Sequence, residues 1–137
     1  MAVVVDASVA IGWLVLNQAT PLTRAALDFV ERESGWVPPH FAIEMSRALR
    51  RQERRALMSA AAIDQAVALL QRQSLIQDQM DAIDSVDSII ALARRYTLRV
   101  ADAAYLELSM RMKLPLATKD QALARAAAKT GIPLFEQ

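Results

Sequence analysis

The chain opens on an apolar run, Ala2 to Val5, without polar alternation, which is the pattern of a strand covered on both faces inside a parallel sheet. Asp6 ends that run, and helix-forming residues follow at once. Ala26, Leu27 and Val30 then recur at helical spacing until Ser34-Gly35, after which "WVPP" reads as a second short strand closed by Pro38-Pro39. A third helix is predicted from about Phe41 into an arginine-rich stretch. Ser59 is placed to cap a helix carrying Ile63, Ala66, Val67 and Leu70 on one stripe, and Val86, Ile89, Ile90 and Ala93 mark another. Between them "SLIQ" is a short strand candidate. The C-terminal part predicts a helix from about Ala101 to Lys113, the strand "LPLA", a helix from about Asp120 to Lys129 and, past Gly131, a last strand "PLF".

Strand and helix alternating over short connections predict an α/β sandwich, a parallel sheet with helices on both faces joined by right-handed crossovers. Ligands in such folds bind at the carboxyl ends of the strands. No linker, repeat or low-complexity stretch interrupts the pattern, so residues 1–137 are read as one domain. With 54% hydrophobic and 23% charged residues, a folded globule is favoured over disorder. The net charge of +1 marks no general polyanion binder, so any attraction to nucleic acid must come from local clustering. There is no Cys, which excludes disulfides and thiolate metal sites, and the single His40 argues against a histidine-rich zinc site. The apolar start lacks a basic flank and is broken by Asp6, and "VAIGWLVL" falls far short of the ~20 residues that cross a bilayer. The expectation is a cytoplasmic protein without a membrane partner.

Four acids are the candidate chemistry. Asp6 closes the first strand and Asp120 lies just beyond "LPLA", so neighbouring strands would bring both carboxylates to the carboxyl edge of the sheet. Either residue could instead be a helix cap, and the spacing of Thr118 and Gln121 already offers a capping box that does not need Asp120. Glu44 follows Phe41 by three residues and precedes Met45, which sets a carboxylate on or beside the apolar stripe of its helix. Burial there is costly unless a cation or a set of donors compensates. Asp102 opens the helix "ADAAYLELSM", where the helix dipole favours an acid in any case. Converging in one cleft, the four would form a hard-oxygen site for Mg²⁺ or Mn²⁺, ions that activate water in phosphodiester hydrolysis.

The stretches "VVVDASVAIGWL", "VPPHFAIEMSRAL" and "LRVADAAYLELSMRMKLPLATKDQALARAAAKTGIPLF" closely resemble the PIN-domain ribonucleases, and within them VapC-type toxins of toxin-antitoxin pairs. The ordered set Asp, Glu, Asp-Ala-x-Tyr, Thr-x-Asp-x-x-Leu carries the resemblance, which is thinnest from about Ser59 to Ala82. It implies a PIN-like three-layer sandwich with a five-stranded parallel sheet in the order 3-2-1-4-5. It also implies a metal-dependent endoribonuclease whose metal-binding and catalytic acids are Asp6, Glu44, Asp102 and Asp120, supported by Ser8 and Thr118. RNA as substrate, a cognate antitoxin and a homodimer come with the same resemblance. The chain departs from the family pattern at Arg47, where Asn is common, and at Lys119, where an apolar residue is common. Either cation could contact phosphate or pair with the acids.

"RALRRQERRAL" carries Arg47, Arg50, Arg51, Arg54 and Arg55 around one helix end, either a solvated terminus complementing the dipole or a patch that tracks an RNA backbone, with Arg47, Arg50, Arg51 and Lys119 as the candidate contacts. It could also face an acidic partner protein. His40 is read as a helix-start or surface residue, and Trp13, Tyr105 and the six Met as core or dimer contacts. Two other readings stay open. One is a degenerate PIN domain that only binds. The other is a phospho-receiver module, which needs an Asp at the end of its third strand and further acids on its first.

Overall fold

The computed structural model describes residues 1–136. Its sheet is built on β1 (Val3–Val5), whose three valines are wholly buried because a parallel neighbour flanks each side. On one side lies β2 (Gly35–Val37), in register Val3 with Gly35 and Val4 with Trp36. On the other lies β4 (Leu116–Ala117), in register Val4 with Leu116 and Val5 with Ala117. The weak strand pattern at "SLIQ" is β3 (Leu75–Gln77), paired outside β2, so the order is β3-β2-β1-β4 and every pairing is parallel. Gly35 allows close packing here: a Cβ there would stand 2.8 Å from Leu75 Cδ2 and 3.1 Å from Val5 Cγ2, so those side chains would have to shift.

The expected fifth strand is absent as a strand. "PLF" contributes one parallel bridge between Leu116 and Leu134, held by Leu116 N–H donating to Pro133 at 3.0 Å and Phe135 N–H donating to Leu116 at 2.9 Å. Pro133 has no N–H to give, and β4 is two residues long, so the ladder has nowhere to extend.

Among the described residues, seven α-helices accompany the strands. After β1 come α1 (Ala7–Leu14) and α2 (Pro21–Arg32), and after β2 come α3 (Phe41–Arg54) and α4 (Ala60–Gln71); α1 packs against the other three. After β3 the chain crosses to the far side of β1 through α5 (Asp84–Tyr96) and α6 (Val100–Met112), and α7 (Gln121–Thr130) packs on α6 after β4. Reversal of the winding at β1 puts the topological switch between β1 and β4, at the ends of those strands where Asp6 and Thr118 emerge.

Local signals fix the helix ends. Thr20 and Thr23 form a reciprocal capping box with Pro21 at the first turn of α2, and the Ser59 hydroxyl accepts from Ala62 N–H at 3.1 Å as the sequence predicts. Gly12 lets α1 and α2 meet closely, since a Cβ there would fall 2.4 Å from Thr23 Cγ2. Gly131 ends α7 in the left-handed region at φ 80°. No helix among the described residues is long and apolar enough to cross a membrane.

Candidate functional site

Asp6 occupies the N-cap position of α1, yet its side chain makes no capping hydrogen bond. Its backbone N–H donates to Ala117 carbonyl at 3.0 Å, which extends the β1–β4 ladder by one residue and fixes the Asp6 backbone beside the end of β4. The carboxylate is instead held by two hydroxyls: Ser8 Oγ and Thr118 Oγ1 each donate to Asp6 Oδ2 at 2.7 Å. Only 4% of Asp6 is exposed. Burial pushes its carboxyl above the ordinary aspartate range, the Thr118 and Ser8 bonds pull it back, and Asp102 and Glu44 raise it again by repulsion. Asp6 is thus a buried acid that makes no side-chain cap and lies near two other acids.

The Thr118 hydroxyl has a second task, accepting from Asp120 N–H at 3.0 Å. The capping box expected from Thr118 and Gln121 does not form; Asp120 is the N-cap of α7, its Oδ1 accepting from Leu123 N–H at 2.9 Å. The turn is tight because Thr118 bonds the residue two positions on, so the cap falls later than the spacing suggested. Ser8 Oγ also accepts from Lys119 N–H at 3.0 Å, tying α1 to the same turn.

Glu44 projects from the first turn of α3, and its side chain is 25% exposed. Its Oε1 accepts from the Tyr105 hydroxyl at 2.6 Å, and His40 Nε2 lies 3.3 Å away. His40 Nε2 also stands 3.2 Å from Ala101 carbonyl, so two oxygen acceptors converge on it and that nitrogen carries the proton. Asp102, 8% exposed at the start of α6, accepts from Arg99 Nε at 3.2 Å on Oδ2. That bond and the Asp102 charge hold the exposed Arg99 guanidinium in its cationic form, with Asp120 and Glu44 adding to the effect.

All four acids line one open cleft of about 270 Å³, together with Arg47, Arg51 and Arg99. Two expected cations are elsewhere. Arg50 pairs with Glu53 at 2.7 Å beside the apolar groove between α3 and α4, one helical step round from Arg51. Lys119 turns its ammonium to Gln18, 2.9 Å from the carbonyl, because Ser8 holds the Lys119 backbone with the side chain directed at the turn after α1. It makes no ion pair with the acids among the described residues.

Chemically the donor set suits a hard divalent cation. Each of the four carboxylates gives one oxygen to protein donors (Asp6 Oδ2, Glu44 Oε1, Asp102 Oδ2, Asp120 Oδ1), and among the described hydrogen bonds the second oxygen has none. As placed, no group of three or more acidic or histidine side chains among the described residues is drawn close enough to hold a metal ion. Asp102 is bonded to Arg99, and Asp120 to its own helix end.

Three neighbours of the acids were given no role at the site by the sequence: Tyr105, read as a core or dimer contact, His40, read as a helix-start or surface residue, and Arg99. Each carries a signal at helical spacing. Tyr105 lies three residues after Asp102, Arg99 three before it, and His40 four before Glu44, so each shares a helix face with an acid. The phospho-receiver reading fails on topology. Asp78 does follow β3, but β3 is an edge strand separated from β1 by β2, and Asp78 is bonded by both terminal nitrogens of Arg111.

The chain is similar to known proteins in sequence and in fold. Ribonuclease VapC3 of Mycobacterium tuberculosis, in each of two strains, is 32% identical over 124 residues, covering 90% of this chain and 86% of the relative. The crystal structure of PAE2754 from Pyrobaculum aerophilum superposes with a TM-score of 0.69 at 20% identity, over 92% of this chain and 79% of the other. That of FitAcB from Neisseria gonorrhoeae gives 0.62 at 15% identity, over 98% and 96%. These two likenesses speak for the fold. The PIN domain family matches residues 3–129, from β1 into α7 and across all four acids, and the chain belongs to that family, with a distant relationship to the ribonuclease VapC3.

Proposed function

We propose that the protein is a Mg²⁺- or Mn²⁺-dependent endoribonuclease that hydrolyses RNA phosphodiester bonds, and that it is the toxin of a toxin-antitoxin pair. The observation that carries this reading is the cleft at the ends of β1 and β4, which Asp6, Glu44, Asp102 and Asp120 line, each with one oxygen free of described hydrogen bonds, beside Arg47, Arg51 and Arg99. Asp6, Glu44, Asp102 and Asp120 would hold the ion, with Ser8 and Thr118 orienting the Asp6 carboxylate and favouring its charged form against burial. When bound, the ion supplies an activated water and charge stabilisation for the phosphoryl transition state. Arg47 and Arg51 sit where they can take substrate phosphates, and release of Asp102 from Arg99 frees a third cation for the same purpose. The family relationship supports an antitoxin that covers the cleft and a homodimer.

The test is cleavage of a total-RNA pool with Mg²⁺ or Mn²⁺ by wild type, Asp6→Asn and Asp102→Asn, with circular dichroism to follow the fold. Loss of cleavage in both variants with the fold intact is the expected result; full activity in both would remove these acids from the chemistry. A PIN domain that only binds is the competing reading, favoured by the Arg99–Asp102 ion pair. It predicts no Mn²⁺ heat in calorimetry of the wild type.

A further inference from the structure

Tyr105 is wholly buried on α6, one helical turn past Asp102. A buried phenol needs a partner for its hydroxyl, and any backbone carbonyl would serve. Here the partner is the Glu44 carboxylate on α3, 61 residues away in the chain and at 2.6 Å, the short contact of a charge-assisted bond. Among the described hydrogen bonds this is the one the Tyr105 hydroxyl makes. His40 completes the clamp, packing edge-on against the Tyr105 ring with centroids 5.2 Å apart while its Nε2 approaches the same Glu44 oxygen.

Tyr105 donates to Oε1, His40 Nε2 lies 3.3 Å from the same oxygen, and among the described hydrogen bonds Glu44 Oε2 receives none. A glutamate has three rotatable bonds and would otherwise sample several rotamers at a quarter-exposed position. We propose that Tyr105 is a positioning residue that fixes the Glu44 carboxylate against Asp6 and Asp102, presenting Glu44 Oε2 to the cleft. A phenylalanine would fill the same space, so the hydroxyl acts through Glu44 alone. The link to metal binding rests on the nuclease reading; the geometry of Glu44 does not.

The experiment is Tyr105→Phe in the full chain. A crystal structure of the metal-free variant should show Glu44 turned out of its bonded position, and calorimetry should show Mn²⁺ affinity lowered about 10- to 100-fold, the usual effect of losing a group that orients a ligand. RNA cleavage should lose kcat with KM unchanged. Added to Glu44→Ala, the same substitution should weaken Mn²⁺ binding no further, whereas a tyrosine that merely supports the core would weaken it again. Glu44 unmoved in the variant, or Mn²⁺ affinity equal to wild type, overturns the proposal. If Glu44 turns out as expected while the wild type neither binds Mn²⁺ nor cleaves RNA, the nuclease reading falls and the positioning role stands.

Discussion

Thr118→Val tests the site at its most connected side chain. The substitution keeps branching and volume, so it opens no cavity, but it deletes a hydroxyl that donates to buried Asp6 at 2.7 Å and accepts from Asp120 N–H at 3.0 Å. A hydrogen bond to a charged group contributes about 1.5–3 kcal/mol and a neutral one about 0.5–1.5, so the expected cost near neutral pH is about 2–4 kcal/mol. For a chain of this length that lowers the melting temperature by on the order of 10 °C. Thr118→Ser, which keeps the hydroxyl, should recover most of it. The cost depends on pH with a defined sign. The folded carboxyl of Asp6 is raised by burial, so folding favours its proton, and this group's contribution to stability is present at acid pH and lost as pH rises from the unfolded aspartate value, about 3.9, through the folded one. The Thr118 bond opposes that loss by favouring the carboxylate. Its removal should therefore be mild in acid and grow as pH climbs through the window. Thermal melts in EDTA across a pH series measure this directly. A Thr118→Val penalty below about 0.5 kcal/mol at neutral pH, within the range of ordinary surface substitutions, or one independent of pH, would refute the account of how Asp6 is held.

The same raised carboxyl predicts that Asp6→Asn, which keeps an acceptor for both hydroxyls, melts no lower than wild type in EDTA at neutral pH, yet gains nothing from Mn²⁺. Wild type should gain about 2.7 kcal/mol at a hundredfold excess over Kd, read as a rise in melting temperature. Salt titrations of RNA binding in a catalytically dead background should separate the arginines: Arg47→Ala and Arg51→Ala each flatten the slope by about 0.7–0.9 unit, while Arg50→Ala, paired with Glu53 away from the cleft, leaves it unchanged. Gly12→Ala forces a methyl to 2.4 Å from Thr23 Cγ2 and should destabilise by about 1–3 kcal/mol in urea denaturation, despite alanine's better helix propensity.

The strands that were legible in the sequence are those buried on both sides. Val3, Val4 and Val5 are apolar without alternation because β2 and β4 cover both edges of β1 and helices cover its faces, and that covering leaves a mark in every residue. At the rim the mark fades. Leu75–Gln77 runs from half-buried to exposed and so reads only as a short apolar stretch, while "PLF" has a strand-like composition but lacks the donor and the partner length that a ladder needs. Apolar pattern reports burial; pairing needs a count of N–H groups that pattern does not supply.

The acids divide in the same way. Asp6, Glu44, Asp102 and Asp120 are visible one by one as carboxylates where burial or a helix start makes them conspicuous, and the structure gathers them into one cleft. Their supports are not visible singly, because Tyr105 in isolation is an ordinary core aromatic and His40 an ordinary helix start. What distinguishes them is a pairing across 61 residues, between Glu44 on α3 and the face of α6 that already carries Asp102. Helical spacing narrows the search to that face, and only the fold chooses the partner. The departures from the family pattern follow the same logic. Lys119 adds a charge beside the site in sequence but delivers it to Gln18 in space, whereas Arg47 lines the cleft itself. Of the two unusual cations, Arg47 is the one placed to alter what the acids bind. Arg47→Asn, which installs the residue common in the family, should therefore raise Mn²⁺ affinity by removing a competing charge, with weaker RNA binding at high salt as the counterpart. Calorimetry of Mn²⁺ binding to the two proteins measures the first effect, and an unchanged or lower affinity in Arg47→Asn would mean that this arginine faces substrate alone.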